Sequence, residues 1–250
     1  MDAIKQAILD RYSAAARAGA RSCCDPVTSN LYTDDERAAV PEAAAAASLG
    51  CGNPTALVDL QPGLTVLDLG SGGGIDVLLA AKRVGPSGKV YGLDMTDAML
   101  ALARDNQQTA GATNVEFLKG TMEAIPLPDC SIDVIISNCV INLSTDKDAV
   151  LREAFRVLKP GGRLAVSDVV VRGEVAPEIR RSVEAWIGCL AGALEEETYR
   201  SKLAAAGFET IDIEIWRTYD HVDAPGAFAS GFIRATKPAP APCCAPGCCA

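Results

Sequence analysis

Val66-Leu67-Asp68-Leu69-Gly70-Ser71-Gly72-Gly73-Gly74-Ile75-Asp76 joins a run of β-branched and leucine residues to an apolar-periodic segment through four glycines and a serine. Such a run reads as a buried parallel strand, and the resumed periodicity after a tight turn as a helix. Glycines let backbone approach a ligand closely, and a helix start offers N–H groups without intrahelical partners. The spacing matches the dinucleotide fingerprint G-x-G-x-x-G only loosely, so the turn alone implies a nucleotide-like ligand and no more.

Outward from this turn the chain alternates regularly. Strands are expected at Thr65–Leu69, Lys89–Leu93, Val115–Leu118, Ile132–Ser137 and Arg163–Val171. Helices are expected over 75–84, about Asp97 to Ala110, and Asp146 to Leu158, the last stopped by Lys159-Pro160-Gly161-Gly162. Strand–helix alternation of this length implies βαβ units and right-handed crossovers. The fold expected is α/β: a Rossmann-like, seven-stranded, mostly parallel sheet with helices on both faces. Residues 1–60 read as an N-terminal helical and loop cap, 61–172 as the ligand-binding Rossmann-like domain, and 173–237 as a C-terminal α+β region. In that last region a helix with Pro177 in its first turn is expected to reach about Leu190, and Glu195–Ala206 to form a second. Strands near Thr210–Trp216 and Phe228–Thr236 would then pair as an antiparallel edge. Residues 238–250, rich in Pro and Cys, are expected to be disordered.

Composition narrows the function. The formal charge is −9 and nearly half the residues are hydrophobic, so a large core is available and a nucleic-acid backbone is a poor partner. No secretory pattern opens the chain, and the Ala43–Ala47 run is too short to span a bilayer, which implies a cytoplasmic protein with no membrane partner. Ten cysteines without an export signal point to reduced thiols kept for metal binding or redox chemistry. The one histidine, His221, is read as a surface or packing residue.

Asp94 ends the second strand, where doubly wound folds place an acid that accepts from ribose hydroxyls. Four segments then stand in order: Asp68–Gly74, Gly92-Leu93-Asp94-Met95, Asp133–Asn138 and Phe155-Arg156-Val157-Leu158-Lys159-Pro160-Gly161-Gly162. Together they resemble the S-adenosylmethionine-dependent methyltransferases of the Rossmann-like class. The resemblance implies S-adenosylmethionine as cofactor, contacted by Asp68, Gly70, Ser71, Gly72, Gly74, Asp94, Met95, Thr121, Met122, Glu123 and Asn138. Met95 would pack beside the adenine, although core packing explains that residue equally well on its own.

The cysteines suggest the methyl acceptor. A buried cysteine is usually a small hydrophobe, which suits Cys130 as an incidental loop thiol. Cys139 suits it badly, because it follows the fourth strand at the rim of the sheet. Leu49-Gly50-Cys51-Gly52-Asn53-Pro54, Ser137-Asn138-Cys139-Val140-Ile141-Asn142-Leu143 and Gly188-Cys189 resemble segments of the arsenite methyltransferases. That resemblance implies that Cys51, Cys139 and Cys189 bind trivalent arsenic and run a disulfide cascade for arsenic detoxification. A fourth thiol matches Cys23 or Cys24, with Cys24 slightly preferred for the Asp25-Pro26 that follows it. The substrate would be arsenite or its thiol conjugates, and the reductant glutathione or thioredoxin, acting on a monomer. The tail pairs Cys243, Cys244, Cys248 and Cys249 are read either as arsenic capture or as a dispensable tail.

The chemistry is coherent. Arsenic(III) is soft and takes thiolates. Its lone pair carries no proton, so methylation needs alignment but no general base. The rival enzyme is a methyltransferase of a small organic acceptor such as a quinone or sterol-like ring. The rival from another class is a thiol buffer that binds arsenic or zinc without chemistry.

Overall fold

The structure is a computed structural model that describes residues 3–18, 31–182, 185–186, 189–221 and 224–239, with side chains 220–225 outside the description. The chain runs α1 (Ala3–Ala18), α2 (Asp34–Ala38), α3 (Glu42–Ala46), β1 (Thr65–Leu69), α4 (Ile75–Val84), β2 (Lys89–Asp94), α5 (Asp97–Ala110) and β3 (Val115–Lys119). It continues with β4 (Ile132–Asn138), α6 (Lys147–Val157), β5 (Leu158–Val171), α7 (Pro177–Arg181), β6 (Leu194–Glu195), α8 (Glu196–Ala205), β7 (Glu209–His221) and β8 (Ala224–Thr236).

The sheet order is β3-β2-β1-β4-β5-β8-β7, with β6 paired to β5. Strands β1 to β5 pair in parallel, while β8 runs antiparallel to both β5 and β7. The order reverses between β1 and β4, so a crevice opens beyond the C-terminal ends of these two strands, where open α/β sheets bind ligands.

Strand alternation sends side chains to two cores. Leu67, Leu69, Ile135, Leu164 and Val166 pack with α6 and α8 through Leu151, Val157, Tyr199 and Leu203. Val66, Val134, Ile136 and Ala165 pack with α4 and α5 through Val77, Val84 and Leu100. Val66, Leu67 and Leu69 are fully buried, and each such side chain contributes about 1.5–3 kcal/mol of transfer free energy. Helices on both faces, expected from the alternation, follow from this two-sided apolar strand.

Several boundaries differ from expectation. The sheet has eight strands rather than seven, because Leu194 and Glu195 pair with Val170 and Val171 before α8 begins. Strand β5 starts at Leu158, so Lys159-Pro160-Gly161-Gly162 belongs to a strand instead of a loop. There Leu158 pairs with Ile132, and Gly161 and Gly162 exchange backbone bonds with Lys237. Cross-strand partners thus outweigh the breaker residues. The expected helix to Leu190 is interrupted after Arg181, where Ser182 turns extended at φ −74° and ψ 121°, and Ala185 and Trp186 are helical again. Ahead of β1 a single helical turn, Pro54–Ala56, is capped by the Asn53 side chain. In the cap, Pro41 is the N-cap of α3, while Thr33 and Glu36 close a capping box on α2.

Candidate active site

The glycine turn lies at the C-terminal end of β1. Gly70, Gly72 and Gly74 have φ of 68°, 50° and 88°, values that a Cβ makes costly. A Cβ on Gly70 would stand 2.4 Å from Val140, and one on Gly74 2.9 Å from Phe117. Above Gly72 the nearest atom is Met99 Sδ at 4.0 Å, so this stretch of backbone faces open space.

That space is a cleft of about 1090 Å3, open solvent at its mouth included. Gly70, Ser71, Gly72, Asp94, Met95 and Asn138 line it, and so does the loop Thr121-Met122-Glu123. Asp68 and Gly74 stand behind the lining. The Asp94 carboxylate accepts from the N–H of Gly72 at 3.0 Å and of Thr96 at 2.8 Å. Burial pushes its pKa up, and those N–H groups pull it back. Burial also raises Asp68 strongly, helped by Asp76 and Asp94, and lifts Asp76 to about 7. The buried Ser71 hydroxyl has no partner among the described residues. Two buried carboxyls, Asp68 and Asp76, the half-buried Asp94 and an unpartnered hydroxyl around one turn suit a ligand with cationic groups. The cleft therefore fits a sulfonium cofactor that also carries an ammonium group.

The cleft reaches Cys139, and there the thiols gather. Cys51, Cys139 and Cys189 are free, at most 5 % exposed, and packed in one cluster with Ile8, Leu143, Tyr219 and Phe228. They come from the loop before β1, the end of β4 and the segment after α7. Cys139 and Cys189 have φ of 60° and 64°, a left-handed conformation that costs a non-glycine residue about 1 kcal/mol or more. Cys130 (φ 51°) and Thr210 (φ 51°) share it, so the conformation alone does not mark a site. The Cys189 thiol donates to the Cys139 carbonyl at 2.8 Å. Hydrogen bonding with Cys189 and then Cys51, followed by burial, raises the Cys139 thiol well above its usual range. Among the described residues, no three His, Cys, Asp or Glu side chains form a ready cage for a metal ion. The expected arsenic ligands are thus close neighbours, with the Cys189 thiol turned toward a carbonyl rather than into a preformed cage.

In the loop holding Cys51 the two flanking glycines make room for neighbouring side chains. A Cβ on Gly50 would stand 2.2 Å from the Asn138 side chain, and one on Gly52 1.9 Å from Ser167 Oγ. Both glycines serve close approach to the strand ends. Cys51 Sγ lies 3.7 Å from Ser167 Oγ.

Next to the thiols is a buried polar group. Asn142 donates to Asp168 at 2.8 Å and to the Val169 carbonyl at 2.7 Å. Lys147 donates to the carbonyls of Asn142 and Ser144, with its ammonium 5.2 Å from the Trp186 ring centroid. Burial lifts Asp168 to about 7 and lowers Lys147.

Sequence reasoning overlooked α1, whose Ile4, Ile8 and Tyr12 line the cleft. It also overlooked Tyr32, whose hydroxyl donates to Asp76 at 3.0 Å. The helical spacing of Ile4, Ile8 and Tyr12 is visible in the sequence, but it carries no signal for what that face covers. Cys130 is exposed, away from the thiol cluster. Cys23, Cys24 and the four tail cysteines lie outside the described residues, as does the His221 side chain.

A family model described as a methyltransferase domain matches residues 60–207. The fold matches the crystal structure of an arsenic(III) S-adenosylmethionine methyltransferase from Chlamydomonas reinhardtii. The TM-score is 0.66 at 33% identity, over 90% of this chain and 74% of that one. The chain belongs to the arsenite methyltransferase family. Arsenite methyltransferases of Halobacterium salinarum and Aquipseudomonas alcaligenes are 45% and 42% identical to it, over 73% and 75% of the chain. These matches cover 46% and 56% of the two relatives, so the chain spans about half the length of those curated family members. Among the described residues no helix is long and apolar enough to cross a membrane.

Proposed function

We propose that this protein methylates trivalent arsenic bound to Cys139, Cys189 and Cys51, with S-adenosylmethionine as methyl donor. One observation carries the reading: three free, buried thiols from separate segments share one cluster, and one of them, Cys139, lines the cleft bordered by the glycine turn and Asp94. When bound, S-adenosylmethionine supplies a methyl carbon on a positively charged sulfur. The turn Gly70–Gly74, Ser71 and Asp94 would hold it, with Met95 and Thr121-Met122-Glu123 also lining the cleft.

The thiols meet the arsenic by exchange. Each Cys S–H gives its sulfur to arsenic and its proton to a departing hydroxyl, which leaves as water. No free thiolate is required, which suits a Cys139 thiol raised by its neighbours. Three sulfurs leave the arsenic lone pair free on the opposite side. No proton has to be removed from that lone pair, so a site without histidine is sufficient. Methylation raises arsenic formally to the pentavalent state. Two cysteine sulfurs return two electrons by joining in a disulfide, and glutathione or thioredoxin then reduces that disulfide. On this reading Cys51, together with Cys24 or Cys23, supplies the resolving thiols for the Cys139–Cys189 pair. Such chemistry needs reduced thiols, so the cytoplasm is the compartment it suits; a monomer is the proposed state.

The test is incubation with arsenite, a thiol reductant and labelled S-adenosylmethionine, followed by separation of the arsenic species. Labelled methylarsenic is expected. Arsenic binding without product would leave a thiol buffer. Neither binding nor product would leave a methyltransferase of an organic acceptor.

A further inference from the structure

Asn138 is the last residue of β4, and its side chain is committed on both sides. Its Oδ1 accepts from the N–H of Cys51 at 3.0 Å and of Gly52 at 3.3 Å. Its Nδ2 donates to the Gly52 carbonyl at 2.7 Å, to the Tyr32 hydroxyl at 3.1 Å and to Asp76 Oδ2 at 3.3 Å. Tyr32 in turn donates to both oxygens of Asp76, the first-turn acid of α4 directly after the glycine turn. Gly50 leaves the Asn138 amide room that any Cβ would take. The carbonyl of Cys51 accepts from Ser230 at 2.9 Å, so the backbone of this one cysteine is fixed at both N–H and C=O.

We propose that Asn138 is a positioning residue for Cys51: one amide holds the Gly50–Gly52 loop against the end of β4 and ties it through Tyr32 and Asp76 to the start of α4. Resting on the reading of Cys51 as a reactive thiol, this gives Asn138 a task other than the cofactor contact implied by resemblance. The side chain next to the central thiol, Cys139, sets where the third thiol stands. Arsenite, which engages Cys51, depends on the clamp more than methylarsenite does, since the latter needs only the Cys139–Cys189 pair.

The test is alkylation of the full, reduced chain with iodoacetamide, mapped cysteine by cysteine, with exposed Cys130 as internal reference. In Asn138→Ala the Cys51 rate relative to Cys130 should rise about tenfold or more, from the loss of several buried hydrogen bonds. The ratio of arsenite to methylarsenite methylation should fall about as far, while S-adenosylhomocysteine binding changes by less than about threefold. Asn138→Asp keeps the acceptor for Cys51 but removes the three donations, and the same rise in Cys51 alkylation is expected of it. Protection of Cys51 equal to the parent in a folded Ala or Asp variant overturns the proposal. So does weakened S-adenosylhomocysteine binding with Cys51 still protected, which would make Asn138 a cofactor contact. Alkylation reads the clamp without any methylation, so a chain inactive on arsenic would fail the proposed function and leave this test intact.

Discussion

The thiol of Cys189 donates to the backbone carbonyl of Cys139, 50 residues away in sequence, at 2.8 Å. The contact joins the segment after α7 to the end of β4, and both residues sit at positive φ to make it. A backbone held in a sparsely populated conformation has to be supported by its surroundings. Here the support is the cluster of Leu143, Ile179, Ala193 and Phe228.

Cys139→Ser preserves the shape of the side chain but puts a hydroxyl into a buried apolar cluster, so stability should fall by about 1–3 kcal/mol. Methylation should be abolished, because oxygen is a poor ligand for a soft arsenic. Full activity by arsenic speciation would remove Cys139 from the reaction. Cys51→Ser should impair methylation of arsenite more than that of methylarsenite, measured on the two substrates separately.

Asp94→Asn should weaken S-adenosylhomocysteine binding about tenfold or more, through loss of a charged acceptor for cofactor hydroxyls. The amide would also meet the N–H groups of Gly72 and Thr96 with a weaker acceptor. Equilibrium dialysis measures the change, and an unaltered affinity would separate Asp94 from the cofactor.

Gly70→Ala introduces a Cβ 2.4 Å from Val140 at a φ of 68°. The left-handed conformation alone costs about 1–2 kcal/mol, and Val140 has to move as well. Since Val140 follows Cys139, both cofactor binding and thiol placement should suffer. Urea denaturation should show a loss of at least this size.

Asp168 sets a pH dependence. Burial raises its folded pKa to about 7, with Lys147 opposing, while the unfolded value is the ordinary carboxylate one near 4. A raised carboxyl gives stability that is full below the unfolded pKa and is lost as pH rises through the folded one. The urea midpoint should therefore fall between about pH 4 and pH 7 on account of this group. Asp168→Asn, which keeps the shape, should flatten that slope. An equal slope in the variant would mean that Asp168 titrates normally.

Much of the central sheet was legible before any coordinates. Val66, Leu67 and Leu69 form a run that is apolar on both faces, and only a central strand covered on two sides accommodates one. The α5 boundaries agreed as well, because Asp97 begins it and Gly111 closes it in a left-handed cap. Reading was poorer where long-range pairing competes with local propensity. Pro160 and the glycines after it looked like a loop, yet Ile132 and Lys237 draw them into β5. The helix expected to run to Leu190 is broken at Ser182, whose extended backbone no local signal in the sequence marks.

At the site, residue types and chain order were enough to single out the glycine turn, Asp94 and three cysteines, because each has a chemical property readable one residue at a time. Contact among them was not readable in that way. Cys51, Cys139 and Cys189 are separated by 88 and 50 positions, and their meeting depends on sheet order, on glycines small enough for close approach and on the Asn138 amide. The sequence by itself determined the chemistry on offer: thiols for a soft acceptor, a flexible turn and an acid for the donor. Tertiary structure decided which thiols stand together, which hydrogen bonds hold them and that α1 covers the cleft. Those are properties of packing between distant segments, for which local periodicity carries no signal.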